Sequence, residues 1–200
     1  MRTIIAALTI GFVLAGCTPA IKNKNNQWQY IICFGDSITY GQGAEPADAY
    51  PEVLGKLITS KIIVNAGVPG DTTATALKRL DSDVLAQKPF LVIIELGGND
   101  FLRQIPPEQT LKNLETMIVA IQAEGAAVAL CDLGSGMFMP NYTADYKRLA
   151  RKTQALFIPN LLGGMLNNPQ LRYDYIHPNA AGYNLIAQRV YKKLSQYFEL

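Results

Sequence analysis

The sequence is poor in the residues that usually mark a metal centre or a covalent scaffold. It has three cysteines and one histidine in 200 residues. That excludes a Cys/His zinc cluster and a disulfide framework. Charge is scarce as well. Acidic and basic residues make up 17% of the chain, and 18 Lys and Arg against 16 Asp and Glu leave a formal charge of +2. A pI near 8.4 with no basic stripe gives no nucleic-acid footprint. Long apolar runs are missing too: the N-terminal one, Ile4–Leu14, falls short of the roughly 20 residues of a bilayer span. Core-forming residues are plentiful, at 49% hydrophobic, which excludes disorder and fits one packed domain.

The first residues read MRTIIAALTIGFVLAGCTPA. One basic residue, Arg2, precedes the apolar run, and small residues follow it, the layout of a secretory signal. The run closes in Leu14-Ala15-Gly16-Cys17, which resembles the lipobox of bacterial lipoproteins. That resemblance implies a signal over 1–17, a lipid on Cys17 and a place on the bacterial envelope. A plain cleaved signal with an incidental cysteine is the alternative. Residues 18–29, TPAIKNKNNQWQ, are polar and aperiodic, and are expected to form a flexible tether ahead of a domain over 30–200. Cys33 and Cys131 lie inside apolar runs. They could pair in an oxidising envelope, but buried free thiols are the simpler expectation.

From Gln29 onward, short apolar runs alternate with helical spacing. Strands are expected at 29–34, 61–65, 90–96, 126–131 and 156–159, and helices at 46–60, 73–86, 106–124, 141–154 and 180–198. Phe90–Leu96 (FLVIIEL) is the most continuous apolar run among these strands, as in strands buried on both faces. Five alternations predict a three-layer α/β/α sandwich around a five-stranded parallel sheet.

In such sheets, ligands bind beyond the carboxyl ends of the strands. Four polar clusters should meet there: Gly35-Asp36-Ser37, Asn65-Ala66-Gly67, Gly97-Gly98-Asn99-Asp100, and Asp174-Tyr175-Ile176-His177-Pro178. Together they hold the parts of acyl transfer. A serine hydroxyl needs a base to become a nucleophile, and His177 is the sole imidazole in the chain. A histidine base needs a group to fix its tautomer, and Asp174 lies one short turn before it. An oxyanion needs donors, for which the N–H groups of Ser37 and Gly67 and the Asn99 amide are candidates. Asp36 and Asp100 read as acceptors that shape their loops. Tyr40, Leu102 and Met137–Met139 either line an acyl pocket or pack in the ordinary way. The Gly-x-Ser-x-Gly elbow of the α/β-hydrolases is absent around Ser37, where Thr39 replaces the second glycine.

These blocks, in this order, resemble the SGNH (GDSL-type) hydrolase family over about residues 30–197. ELGGNDFLRQIPP and IHPNAAGY look most like its acyl-CoA thioesterase, lysophospholipase and arylesterase branch. The resemblance implies a flavodoxin-like sandwich and a catalytic triad of Ser37, Asp174 and His177. It further implies oxyanion donors from Ser37, Gly67 and Asn99, with no metal and no cofactor. The expected activity is hydrolysis of carboxyl esters (aryl esters, lysophospholipids, acyl thioesters) through an acyl-enzyme on Ser37. Carboxyl esters rank above acyl-CoA, which an envelope enzyme would rarely meet. A carbohydrate O-acetyl esterase shares every catalytic residue and is the alternative. An inactive lipid-anchored binding protein is the third reading, but no catalytic position is lost. The expected partners are a small or lipid ester and a membrane reached through the lipid, with the chain itself a monomer.

Overall fold

The computed structural model describes residues 20–134 and 142–200. Five strands, β1 (Tyr30–Gly35), β2 (Ile62–Gly67), β3 (Leu91–Glu95), β4 (Ala127–Cys131) and β5 (Leu156–Ile158), form an all-parallel sheet in the order β2-β1-β3-β4-β5. Every residue of β3 and β4 is buried. Alternate side chains therefore feed two cores. Ile31, Cys33, Leu91 and Ile93 face one side, where Tyr50 and Leu54 of α2 (Tyr50–Leu57) and Tyr183, Ile186 and Val190 of α8 (Ala180–Leu194) cover them. Ile32, Phe34, Val92 and Ile94 face the other. Leu114, Ile118 and Ile121 of α6 (Pro107–Ala123) and Tyr146 and Leu149 of α7 (Tyr142–Thr153) close that side. The three-layer sandwich follows from the period-2 alternation of strands buried on both faces.

Several expected elements are divided or shortened. The helix expected at 73–86 is α3 (Thr73–Lys78), α4 (Leu80–Asp83) and a 3₁₀ turn at Leu85–Gln87. The break falls at Arg79, whose guanidinium is drawn to Asp71, Asp83 and the carbonyls of Ala66 and Gly35 at the ends of β2 and β1. The helix expected from 46 opens as a 3₁₀ turn, Pro46–Asp48, before α2, and α8 stops at Leu194. Two short helices were not expected: α1 (Ser37–Tyr40) and α5 (Gly98–Leu102), each following a strand of the site.

The tether expected over 18–29 is not free from Ile21 onward. Ile21 is buried in the core, and the Asn23 amide donates to the carbonyls of Gln122 and Ala126. The Asn26 amide donates to the carbonyls of Phe90 and Gly125. A polar composition hid this, because the asparagines satisfy strand-end carbonyls rather than water. Cys33 and Cys131 are buried and unpaired, and burial pushes the Cys33 thiol up to about 12. The expected signal, Cys17 and Met137–Met139 lie outside the described residues.

Candidate active site

The site forms where β1 and β3 part, the point at which the strand order reverses. Crevices at such switch points are the usual ligand sites of open α/β sheets. Asp36 follows β1 and caps α1, its Oδ1 accepting from the Ile38 N–H at 3.0 Å. Ser37 is thus the first residue of a helical turn, where its own N–H has no intrahelical acceptor.

His177 arrives on the loop before α8. Its Nε2 lies 3.0 Å from Ser37 Oγ, and its Nδ1 lies 2.8 Å from Asp174 Oδ2. The other Asp174 oxygen accepts from the backbone N–H groups of Ile176 and His177, each at 2.8 Å. One carboxylate therefore folds the loop and aims the ring. Partial burial pushes Asp174 up. The bonds from the His177 ring and the two N–H groups outweigh that and hold it below the ordinary carboxylate value.

The three expected oxyanion donors differ in availability. Ser37 and Asn99 line one cavity with His177, and Gly67 does not. The Asn99 amide donates to Asp36 Oδ2 at 3.0 Å and to the Asp71 carbonyl at 2.9 Å. The Gly67 N–H donates to Asn65 Oδ1 at 3.0 Å. Gly67 is needed for another reason: a Cβ there would stand 2.2 Å from the Tyr40 nitrogen, so only glycine lets β2 approach the turn that carries Ser37. Gly97, at φ 112°, makes the left-handed turn that delivers Asn99 from β3. Asp100 accepts from the Thr73 N–H and hydroxyl and from Thr110, tying α5 to α3 and α6.

The cavity is about 450 Å³. Leu102, Leu133, Leu162, Leu166 and Ile176 give it an apolar wall. Leu102 lines it as one of its expected roles required, whereas Tyr40 does not. Among the described residues, no group of three or more His, Cys, Asp or Glu side chains could hold a metal ion. No described helix is long and apolar enough to cross a membrane.

Sequence reading missed a second acidic group close to Asp36 and Thr39, the neighbours of Ser37. Glu95, at the end of β3, is fully buried and accepts from Thr39 Oγ1 at 2.8 Å. Its other oxygen has no partner among the described residues. Burial, reinforced by the nearby Asp36 charge, pushes its carboxyl well above the ordinary range. The signal was present as the one charged residue in the run FLVIIEL.

The sequence pattern of the GDSL-like lipase/acylhydrolase family matches residues 33–185. The chain is similar to the Pseudomonas aeruginosa protein named esterase TesA, at 31% identity over 196 residues, covering 91% of this chain and 96% of that protein. The Escherichia coli (strain K12) protein named thioesterase 1/protease 1/lysophospholipase L1 is 30% identical over 171 residues, 82% of either chain. A crystal structure of TesA superposes with a TM-score of 0.78 at 31% identity, covering 85% of this chain and 100% of that one.

Proposed function

The chain belongs to the GDSL-like lipase/acylhydrolase family, and from that premise we propose that it hydrolyses carboxyl esters of medium or long acyl chains through an acyl-enzyme on Ser37. The observation that carries this reading is the unbroken hydrogen-bond chain Ser37–His177–Asp174, at 3.0 and 2.8 Å, at the mouth of an apolar cavity.

His177 Nε2 takes the Ser37 proton as Oγ attacks the ester carbonyl. Asp174 fixes the tautomer through Nδ1 and stabilises the imidazolium that forms. The imidazolium gives its proton to the departing alkoxide, and the carbonyl re-forms as the acyl-enzyme. Water then repeats the cycle, its proton passing to His177 and back to Ser37 as the acid leaves. The Ser37 N–H and the Asn99 amide are the oxyanion donors. The amide shares its hydrogens between the oxyanion and its resting partners. Gly67 contributes its N–H only by giving up Asn65.

The leucine-lined wall favours acyl chains over acetyl groups. Lipidation at Cys17 would hold the enzyme on the bacterial envelope, where lysophospholipids and other carboxyl esters are at hand. The test is hydrolysis of p-nitrophenyl esters from acetyl to palmitoyl, with Ser37→Ala as blank. A maximum at medium or long chains supports the reading. Activity confined to acetyl would move the assignment to sugar O-acetyl groups.

A further inference from the structure

The domain carries most of its exposed large apolar side chains at one end and its N-terminal attachment at the other. Six of the ten exposed large apolar side chains among the described residues, Tyr40, Val68, Leu102, Tyr173, Tyr175 and Ile176, lie on the loops that carry Ser37, Gly67, Asn99 and His177. They form one rim. Leu102, Tyr175 and Ile176 border the cavity directly. The Val68 loop is tied to the end of α5 by Arg103, which donates to the Gly70 carbonyl at 2.9 Å. Tyr175 is 77% exposed and Tyr173 65%, too much apolar area for side chains with no partner. Arg103 and Arg172 lie within this rim; Arg172 stacks 5.3 Å over the Tyr175 ring and donates to the Leu166 carbonyl, and neither arginine is in an ion pair among the described residues. Tyrosines beside unpaired arginines suit the headgroup layer of a bilayer with anionic lipid.

The chain enters at the opposite edge. Lys22, Asn23 and Asn26 bind the carbonyls of Gln154, Ala126, Phe90 and Gly125, just before β5, β4 and β3, and that of Gln122 in the last turn of α6. The slack between Cys17 and the docked Ile21 is four residue steps, about 14 Å when fully extended. Strands of five or six residues alone hold the two edges about 17–20 Å apart, before any loop is counted. A lipid on Cys17 therefore cannot let the catalytic rim turn to face the membrane that holds it.

We propose that the rim around Ser37 and His177 docks on a phospholipid surface other than the membrane that carries Cys17. The enzyme works in trans, on esters presented across the envelope space. The trans orientation rests on the proposed lipidation of Cys17, while the docking rim stands on its exposed apolar side chains and two arginines.

The test uses residues 17–200, coupled through Cys17 to a maleimide lipid in phosphatidylcholine/phosphatidylglycerol vesicles. Cys33 and Cys131, at 0% and 1% exposure, do not compete for the label. The vesicles also carry a fluorogenic long-chain ester. With the native linker, coupling should leave hydrolysis of that ester within about twofold of the uncoupled enzyme's rate. Inserting about 20 Gly/Ser residues between Pro19 and Ala20 should raise it about tenfold or more, by effective concentration. A tenfold gain with the native linker would overturn the trans orientation. For the rim, Tyr40→Ser and Val68→Ser together should lower hydrolysis of vesicle-borne ester by about fivefold or more in the uncoupled enzyme. Hydrolysis of soluble p-nitrophenyl acetate should stay within about twofold. Equal effects on the two substrates would overturn docking. Mass analysis of the N-terminal peptide from bacterial membranes tests the anchor separately, and an unlipidated Cys17 would overturn the orientation while leaving the rim result to stand.

Discussion

Asp36 joins two parts of the site that come from different strands. Its Oδ1 caps the helical turn that begins at Ser37, and its Oδ2 accepts from the Asn99 amide at 3.0 Å. Asp36→Asn keeps an oxygen for the cap but sets an amide N–H₂ against another at Asn99. The expected loss in kcat at pH 8 is about tenfold, the kinetic worth of one hydrogen bond. Burial pushes the Asp36 carboxyl up to about 6, so the wild type protonates as the pH falls through that value and loses the same acceptor. The ratio of wild-type to variant kcat should therefore shrink below pH 6. A constant ratio from pH 5 to 8 would detach Asp36 from Asn99.

Removing the reacting groups should cost far more. Ser37→Ala and His177→Ala are each expected to lower kcat by about 10³-fold or more with circular dichroism unchanged, as in other serine triads. Asp174→Asn should also be severe: its oxygen can keep the Ile176–His177 turn, but its N–H₂ then faces Nδ1 and imposes the wrong ring tautomer. Asn99→Ala should cost about 10²–10³ in kcat if its amide meets the oxyanion. A loss below about threefold would remove it from that role.

The buried Glu95 predicts a pH signature in stability rather than in rate. Its folded value is raised, so above the ordinary carboxylate range the unfolded chain releases a proton that the folded one keeps. Stability then falls as the pH rises from about 4.5 toward the raised value, by about 1.4 kcal/mol per pH unit from this group. Glu95→Gln carries no such proton. Urea unfolding at several pH values between 5 and 8 should show the variant with the shallower slope.

The docked N-terminal segment should be structural. A chain beginning at Tyr30 loses the Ile21 side chain from the core and the Asn23 and Asn26 amides from four carbonyls that stay behind. The expected loss is about 2–5 kcal/mol, dominated by the core vacancy and the stranded carbonyls. A melting temperature unchanged by the truncation would restore the free tether.

These particulars show where a sequence is readable and where it is not. Ser37 could be singled out because its polar block directly follows an apolar run, and Asp174 and His177 because they form a short polar block just before the last helical face. The alternation of apolar runs with helical faces likewise carried the three layers. The four residues of α1 and five of α5 are too few to leave a periodicity. Arg79 divides its helix through bonds to Gly35, 44 residues away, which no local pattern announces. Ile21 is one apolar residue in a polar stretch, and its burial depends on where the strand ends lie. The partners of the Asn99 amide, Asp36 and Asp71, are likewise tertiary facts, so the candidate oxyanion donors were legible as residue types and not in their resting engagement.

The most direct test of the account is covalent trapping with a fluorophosphonate ester. Its phosphorus is attacked as the ester carbonyl would be, fluoride leaves, and the adduct survives digestion. Mass spectrometry of the labelled protein should place one adduct on the peptide containing Ser37, and His177→Ala should abolish or greatly slow it. Labelling at another residue, or labelling of Ser37 at the same rate without His177, would contradict an acyl-enzyme built on Ser37, His177 and Asp174.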